Sequence, residues 1–201
     1  MAAGLGLEQL EGTVSSREHP AGRIVQHCSQ RVHRCIVTAA GPPWADGAAL
    51  VRVPHHHYGR DMRVDVMTFP KPLAEMSPTA ATAQAAGFDG MLLTEGGRTA
   101  YSAAAAAALG APGLELSTGV AVAFPRSPMV TAQNAWELQE LTGGRFRLGL
   151  GTQVRTHVVR RYGVDFDHPG PRLRDYVTAV KACFAGFRGE PLDHHGDFYE
   201  L

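Results

Sequence analysis

From residue 62 onward, short apolar runs alternate with stretches in which apolar positions recur every three or four residues. The runs predict β-strands and the periodic stretches predict α-helices, because side chains alternate along a strand and repeat about every 3.6 residues along a helix. The predicted strands cover residues 62–69, 88–94, 114–123 and 146–151. The predicted helices that follow them cover residues 78–86, 101–109, 128–141 and 171–184.

Serine, proline and glycine mark the ends of these predicted helices. Ser77-Pro78 and Ser127-Pro128 are each typical of a helix N-terminus. Serine caps free backbone N–H groups there, and proline needs no N–H at the first helical position. Gly87 comes just after a predicted helix end, where glycine is common.

Four consecutive strand–helix units indicate parallel strands joined by crossover helices. Two α/β architectures fit this order, a small doubly wound sheet and the first half of a (β/α)8 barrel. The turn at residues 68–72 contains no glycine, so it cannot hold a pyrophosphate as the glycine-rich loop of dinucleotide-binding sheets does. Gly149-Leu150-Gly151 is only superficially similar to that loop, because no third glycine follows at the required offset.

The first 61 residues differ from the rest, because no strand or helix period is sustained there. The sequence therefore predicts an atypical, poorly ordered extension over residues 1–61 and an α/β domain over residues 62–201. Two groups of potential metal ligands lie in the extension, and neither has the paired spacing of a zinc module. They are His27, Cys28, His33 and Cys35, and the three histidines at 55–57. The sequence thus predicts no metal site.

Composition narrows the class of protein. Hydrophobic residues make up 44% and charged residues 19%, which supports a packed core and excludes wholesale disorder. The net charge of zero argues against a broad nucleic-acid or anionic-membrane surface. No apolar run reaches the roughly 18 residues of a membrane span. Residues 1–10 lack a secretory signal pattern, and the three cysteines are too few for a disulfide scaffold, so we expect a cytoplasmic protein.

Candidate chemistry lies where the predicted strands end, because parallel α/β folds bind ligands at the carboxyl edge of the sheet. Glu95 is the only carboxylate among those ends, and they contain no Ser-His-Asp set, carboxylate pair or metal cluster. Such a site suits a flat cofactor that carries its own reactivity. The residues at the ends are Thr68, Phe69, Thr94, Glu95, Val120, Ala121, Val122, Ala123, Gly151, Thr152 and Gln153.

Two segments resemble luciferase-like oxidoreductases. They are residues 117–129, STGVAVAFPRSPM, and residues 136–153, WELQELTGGRFRLGLGTQ. Residues 87–90 and 196–199 fit the same family, so the resemblance extends over residues 62–201. The chain is most similar to the branch that depends on coenzyme F420, and FMN-dependent monooxygenases share the fold.

The resemblance implies a (β/α)8 barrel with a reduced deazaflavin or flavin across the strand ends. In this family a bulge, often with a cis non-proline peptide, ends the third strand and presses on the ring. The corresponding residues here are Val120, Ala121 and Val122. From the fourth strand Gly151, Thr152 and Gln153 would border the ring, and Thr68 would contact it from the first.

The resemblance also places Glu95 near the substrate, as a proton donor or orienting group. Many members carry a histidine nearby, where this chain has Gly96, Gly97 and Arg98, so proton transfer is not assigned by the resemblance alone. A second interpretation is that Glu95 favours the following helix start through its charge. Arg126 is expected to anchor the start of the third helix through backbone or carboxylate contacts.

Three further residues have simple structural interpretations. Trp136 is expected to pack in the core or between helices. His194 and His195 lie in a short turn, where contact with solvent is expected rather than ligation of a metal.

A complete barrel of this type needs about 250 residues, whereas residues 62–201 contain only four strand–helix units. The first and fourth strands would then have open edges, a hazard for association. We therefore expect a homo-oligomer or a complementing half-barrel chain as partner, with no nucleic acid or membrane. Two functions remain open. One is an oxidoreductase that transfers hydride with coenzyme F420, or uses FMN to oxygenate a small organic substrate. The other is a truncated, non-catalytic fragment that needs a partner or has lost cofactor binding.

Overall fold

The computed structural model describes residues 63–201 and, before them, the two strand segments 24–29 and 34–39. The strands are β1 (Ile24–Ser29), β2 (Arg34–Ala39), β3 (Arg63–Thr68), β4 (Gly90–Leu93), β5 (Glu115–Thr118), β6 (Ala121–Val122), β7 (Phe146–Arg147) and β8 (Leu150–Gly151). The helices are α1 (Leu73–Ala85), α2 (Ala100–Gly110), α3 (Pro128–Leu141), α4 (Arg155–Tyr162) and α5 (Pro169–Phe187).

The four predicted strand–helix units are confirmed. β3, β4, β5 and β7 lie side by side in chain order, and every neighbouring pair is parallel. β6 and β8 form a second parallel pair, which continues the third and fourth predicted strands beyond a break in each. The architecture is therefore the α/β arrangement of a partial (β/α)8 barrel, with its first four units in order.

Thr118 and Gly149 produce the break between the two sheets. The hydroxyl of Thr118 accepts a hydrogen bond from Gly149 N and donates one to Gly149 O, each at 2.8 Å, in place of the regular ladder. A Cβ on Gly149 would lie 2.0 Å from the carbonyl oxygen of Thr118, so only glycine allows this approach. The sequence did not reveal the break, because it depends on two residues that are distant along the chain.

β1 and β2 form an antiparallel pair, and β2 pairs in parallel with the other edge of β3. These two strands lie within the extension that the sequence predicted as atypical and poorly ordered, and the pattern along the chain did not indicate them. The prediction of an open edge on β3 is wrong, because β2 occupies that edge. A short edge strand is stabilised by the hydrogen-bonding partner beside it, which periodicity along the chain does not reveal. His33 and the histidines 55–57 lie outside the described residues, as do the side chains of β1 and β2, so the absence of a metal site there stays a prediction. The boundary at residue 61 stays a prediction too.

The helices differ from the sequence prediction at some of their ends. α3 begins and ends as predicted, and the Ser127 hydroxyl accepts the expected hydrogen bond from Val130 N, at 3.3 Å. α1 begins at Leu73, so Pro78 lies inside the helix and not at its start. A proline there removes one hydrogen bond, to the carbonyl of Ala74, which belongs to an exposed residue that water can reach. α4 was not predicted.

Two apolar clusters fill the helix side of the sheet. In the first, α2 contributes fully buried alanines such as Ala103, Ala104 and Ala107, which pack close to α1. The second includes Phe184 and Phe187 of α5, and the Trp136 ring on α3 lies against both, with ring centroids 6.3 and 5.4 Å apart. Trp136 is thus the helix-packing residue that the sequence predicted.

The last eight residues form a small hairpin against α5. His194 and Leu201 exchange two backbone hydrogen bonds of 3.0 Å. Nε2 of His194 lies 2.8 Å from Oδ1 of Asp175 on α5, and the His194 side chain is only 9% exposed. The prediction that His194 contacts solvent is wrong, whereas His195 is 70% exposed as expected. No helix within residues 63–201 is both long and apolar enough to cross a membrane.

Candidate cofactor site at the strand ends

Hydrogen bonds join the carboxyl ends of the four strands into one surface. Thr94 N donates to Thr68 O at 3.2 Å, which joins the ends of β3 and β4. Glu95 N donates to Val120 O at 3.3 Å, and Val122 pairs with Gly151 in the β6–β8 ladder. The structure therefore brings together the residues that the sequence selected at all four strand ends.

The third predicted strand is interrupted between β5 and β6, and we call residues 119–122 the bulge. The peptide bond between Gly119 and Val120 is cis. Val120 is half-buried, whereas Ala121 and Val122 have no exposed surface and belong to the two apolar clusters. Three residues of the bulge were predicted to contact the cofactor. Only Val120 is partly exposed at the carboxyl edge of the strands, which we call the rim, and the other two hold the bulge in position.

Glu95 is buried beneath this bulge, with 2% of its side chain exposed. Its Oε2 accepts hydrogen bonds from Val122 N at 2.6 Å and from Nη1 of Arg126 at 2.9 Å. Its Oε1 is bonded to Nη2 of Arg126. Both carboxylate oxygens are thus occupied, and the geometry favours a role in holding the bulge over a role as proton donor.

Arg126 completes this anchor. Its Nη1 also donates to Val122 O at 3.0 Å, and its guanidinium lies 5.0 Å from the ring centroid of Tyr101. Burial by itself would lower the pKa of Arg126, but the hydrogen bonds and the charge of Glu95 outweigh it, so the pKa is raised. Arg126 thus has the carboxylate and backbone contacts that the sequence predicted, but they anchor the bulge and not the start of α3.

The end of the fourth strand presents the bare backbone of Gly151 beside the bulge. A Cβ on Gly151 would lie 2.6 Å from Cγ2 of Val120, so the two residues are in close contact only because Gly151 lacks a side chain. Gln153 has a positive φ of 59° and turns the chain into α4. The side-chain Nε2 of Gln153 lies 3.5 Å from the backbone carbonyl oxygen of Glu95. The Thr152 hydroxyl donates a hydrogen bond to the backbone carbonyl of Gln153 at 3.0 Å.

Two threonine hydroxyls lie at the ends of the first two strands. Oγ1 of Thr68 is bonded to the carbonyl of Phe69 at 3.2 Å. Oγ1 of Thr94 is buried, and it has no hydrogen-bond partner within the described part of the chain. A hydroxyl without a partner at this edge fits a site that a polar ligand or a water completes.

A cavity of about 390 Å³ opens next to this surface, at the ends of β3 and β4. The sequence had identified Phe69 as a strand-end residue and residues 96–98 only as the place where a histidine was absent. The sequence signal for this cavity would have been the aromatic Phe69 after the first predicted strand together with the cationic Arg98 after the second. The lining residues are Phe69, Pro70, Gly96, Gly97 and Arg98.

Comparisons with known proteins identify relatives of this chain. The sequence model of the luciferase-like monooxygenase family matches residues 50–201. The chain is 37% identical over 133 residues to Rv1360 of Mycobacterium tuberculosis, a match that covers 66% of this chain and 39% of that protein. It is 27% identical over 132 residues to a 5,10-methylenetetrahydromethanopterin reductase of Methanolobus tindarius, with 65% and 39% covered. The chain thus spans about two fifths of the length of these relatives.

Two solved structures share the fold. A coenzyme F420-dependent tetrahydromethanopterin reductase from Methanopyrus kandleri has a TM-score of 0.58 at 17% identity, over 68% of this chain and 43% of that one. The oxygenating constituent of 3,6-diketocamphane monooxygenase from Pseudomonas putida, in complex with FMN, has a TM-score of 0.56 at 18% identity, over 64% and 37%. At these identities the likeness shows the fold alone.

Proposed function

Because the chain belongs to the luciferase-like monooxygenase family, we propose that its four strand ends form half of a cofactor site in an oxidoreductase that transfers hydride with coenzyme F420. The observation that carries the proposal is the bulge at Val120, fixed beside the bare backbone of Gly151 by a buried ion pair. An apolar valine side chain beside bare glycine backbone suits one face of a tricyclic ring. When bound, the reduced deazaflavin would supply the hydride.

The residues of this chain would bind and orient the ring. Val120 would pack against one face, with Gly151 and Thr152 at the border. Glu95 and Arg126 would fix the position of the bulge, because their side chains form hydrogen bonds with both the N–H and the carbonyl of Val122. Thr68 and the hydroxyl of Thr94 would offer polar contacts at the ends of β3 and β4.

FMN is the alternative cofactor, since one structural neighbour is an FMN complex of a monooxygenase. With FMN the reaction would be oxygenation of a small organic substrate. The surface built by Val120 and Gly151 would receive either ring.

The test is a titration of the full 201-residue chain with F420 and with FMN, followed by fluorescence. We expect binding of one of them at micromolar concentration. Gly151→Trp should abolish it, because the new side chain occupies the ring surface. Gly170→Trp is the matched control, since Gly170 lies in the first turn of α5 with open space around its Cβ position. Absence of binding to both cofactors would refute the proposal for this chain.

A second variant guards against misfolding of Gly151→Trp. Val120→Ala removes two methyl groups without adding bulk, and it should weaken cofactor binding about tenfold. Unchanged affinity in both variants would show that the cofactor binds elsewhere. Thermal melting of each variant checks that the fold is retained.

A further inference from the structure

The cavity beside the proposed ring surface has an unusual combination of walls. Phe69 is 69% exposed, which is high for an aromatic residue that follows a buried strand. Pro70 adds a second apolar wall, and Gly96 and Gly97 contribute backbone only. Arg98 contributes the single charged side chain of the lining.

The guanidinium of Arg98 has no hydrogen bond or ion pair within the described part of the chain, and its side chain is exposed. The carboxylate of Glu95, three residues earlier, is bonded to Arg126. Glu75 interacts with Lys71, so it too has a cationic neighbour. Arg98 thus leaves an uncompensated positive charge at the rim.

The cavity also adjoins the proposed cofactor surface. Gly96 follows Glu95, whose N–H donates to the carbonyl of Val120. A Cβ on Gly96 would lie 3.9 Å from the Phe69 ring, and a Cβ on Gly97 would meet nothing within 4 Å. An occupant of this cavity would therefore lie beside the ring surface, with room above the two glycines.

On these observations, and resting on the proposed function, we propose that the cavity binds the substrate and that the substrate is a flat, apolar acid. Its anionic group would pair with Arg98, whose planar guanidinium offers two parallel N–H donors to a carboxylate. Its apolar body would stack on Phe69. The cavity volume of about 390 Å³ fits a molecule of one or two rings.

The experiment compares 2-naphthoate with its neutral analogue 2-naphthamide on the full chain, by calorimetry or by the fluorescence of the probe. Naphthoate should bind about tenfold more tightly than naphthamide, because only the acid forms a charge-assisted pair with the guanidinium. Arg98→Gln should remove that preference while leaving naphthamide binding unchanged. Arg174→Gln, at an exposed arginine of α5, should leave both affinities unchanged.

Two further variants test the cavity itself. Gly97→Trp should block both probes, since it fills space that is open in the structure, whereas Gly170→Trp should not. Equal affinity of acid and amide in the original chain, or a preference that survives Arg98→Gln, would overturn the proposal.

Cofactor titration on the same proteins separates this inference from the proposed function. F420 or FMN binding by the original chain and by Arg98→Gln, without any acid preference, would refute the substrate class alone. If Arg98→Gln weakens cofactor binding and leaves naphthoate unaffected, Arg98 holds an anionic group of the cofactor and the substrate proposal is wrong.

Discussion

The strand-end rim and the helix side of the sheet are stabilised in different ways. At the rim, the Glu95–Arg126 ion pair and a few backbone hydrogen bonds fix the bulge. Around α2, fully buried alanines such as Ala104 pack by shape, with no polar contact among them. A polar anchor fixes the position of a few atoms, whereas an apolar layer fixes only how closely two elements approach.

The difference explains how one chain combines a stable core with a well-defined site. The alanine layer contains many small and nearly equivalent contacts, so its stability is spread over the helix. The bulge depends on two side chains, and the loss of either one leaves a buried charge without a partner. The comparison therefore predicts large effects from single changes at the rim and smaller, volume-dependent effects in the core.

The largest effect is expected at the ion pair. Arg126→Leu should lower the free energy of unfolding by about 3–5 kcal/mol, because it leaves the Glu95 carboxylate buried without its cation. Adding Glu95→Gln should recover part of that loss, since it removes the stranded charge. Urea unfolding measures both, with Arg174→Leu on the exposed side of α5 as control. Equal stability of Arg126→Leu and Arg174→Leu would show that the pair does not anchor the rim.

A second polar anchor lies at the C-terminal hairpin and extends the comparison. Burial by itself would raise the pKa of Asp175, but hydrogen bonds from Phe198 N, His194 and Tyr199 N outweigh it and leave the pKa below its usual value of 3.8. A carboxyl whose pKa is lower in the folded state stabilises the fold above its unfolded pKa. That stability is lost as the pH falls through the lowered value.

Asp175→Asn should therefore cost about 1.5–3 kcal/mol at neutral pH and remove part of the acid dependence of stability between pH 4 and the lowered pKa. Urea unfolding of both proteins over that pH range measures the effect. Parallel pH profiles for the two proteins would show that Asp175 does not hold the hairpin. Asp197→Asn, at an exposed aspartate of the same hairpin, is the control.

The smallest of these effects is expected in the alanine layer. Ala104→Leu adds bulk at a position with no exposed surface, and it should cost about 1–3 kcal/mol through displacement of its neighbours. Ser102→Leu adds the same side chain at an exposed position of the same helix and should be nearly neutral. Thermal melting compares the two variants. An unchanged melting temperature for Ala104→Leu would show that the alanine layer contains space for the larger side chain.

The sequence predicted the four strand–helix units and the location of the candidate site at the carboxyl edge of the sheet, because both follow from local patterns. Periodicity defines an element from its own residues, and parallel strands place their carboxyl ends together. The contact between Glu95 and Arg126 could not be assigned so firmly, since the two residues are separated by α2 and the bulge. The start of α1 was missed because Pro72 and Pro78 both fit a helix N-terminus, and only the packing of Met76, with no exposed surface, includes the first turn.

By itself the sequence determined the order of the elements, the family and the set of residues near the strand ends. Only the tertiary structure decided which of those residues face the rim. It buried Ala121 and Val122, left Val120 half-exposed, and engaged both oxygens of Glu95 beneath the bulge. The physical reason is that backbone periodicity is a local property, whereas burial and hydrogen-bond partners depend on which distant segments meet.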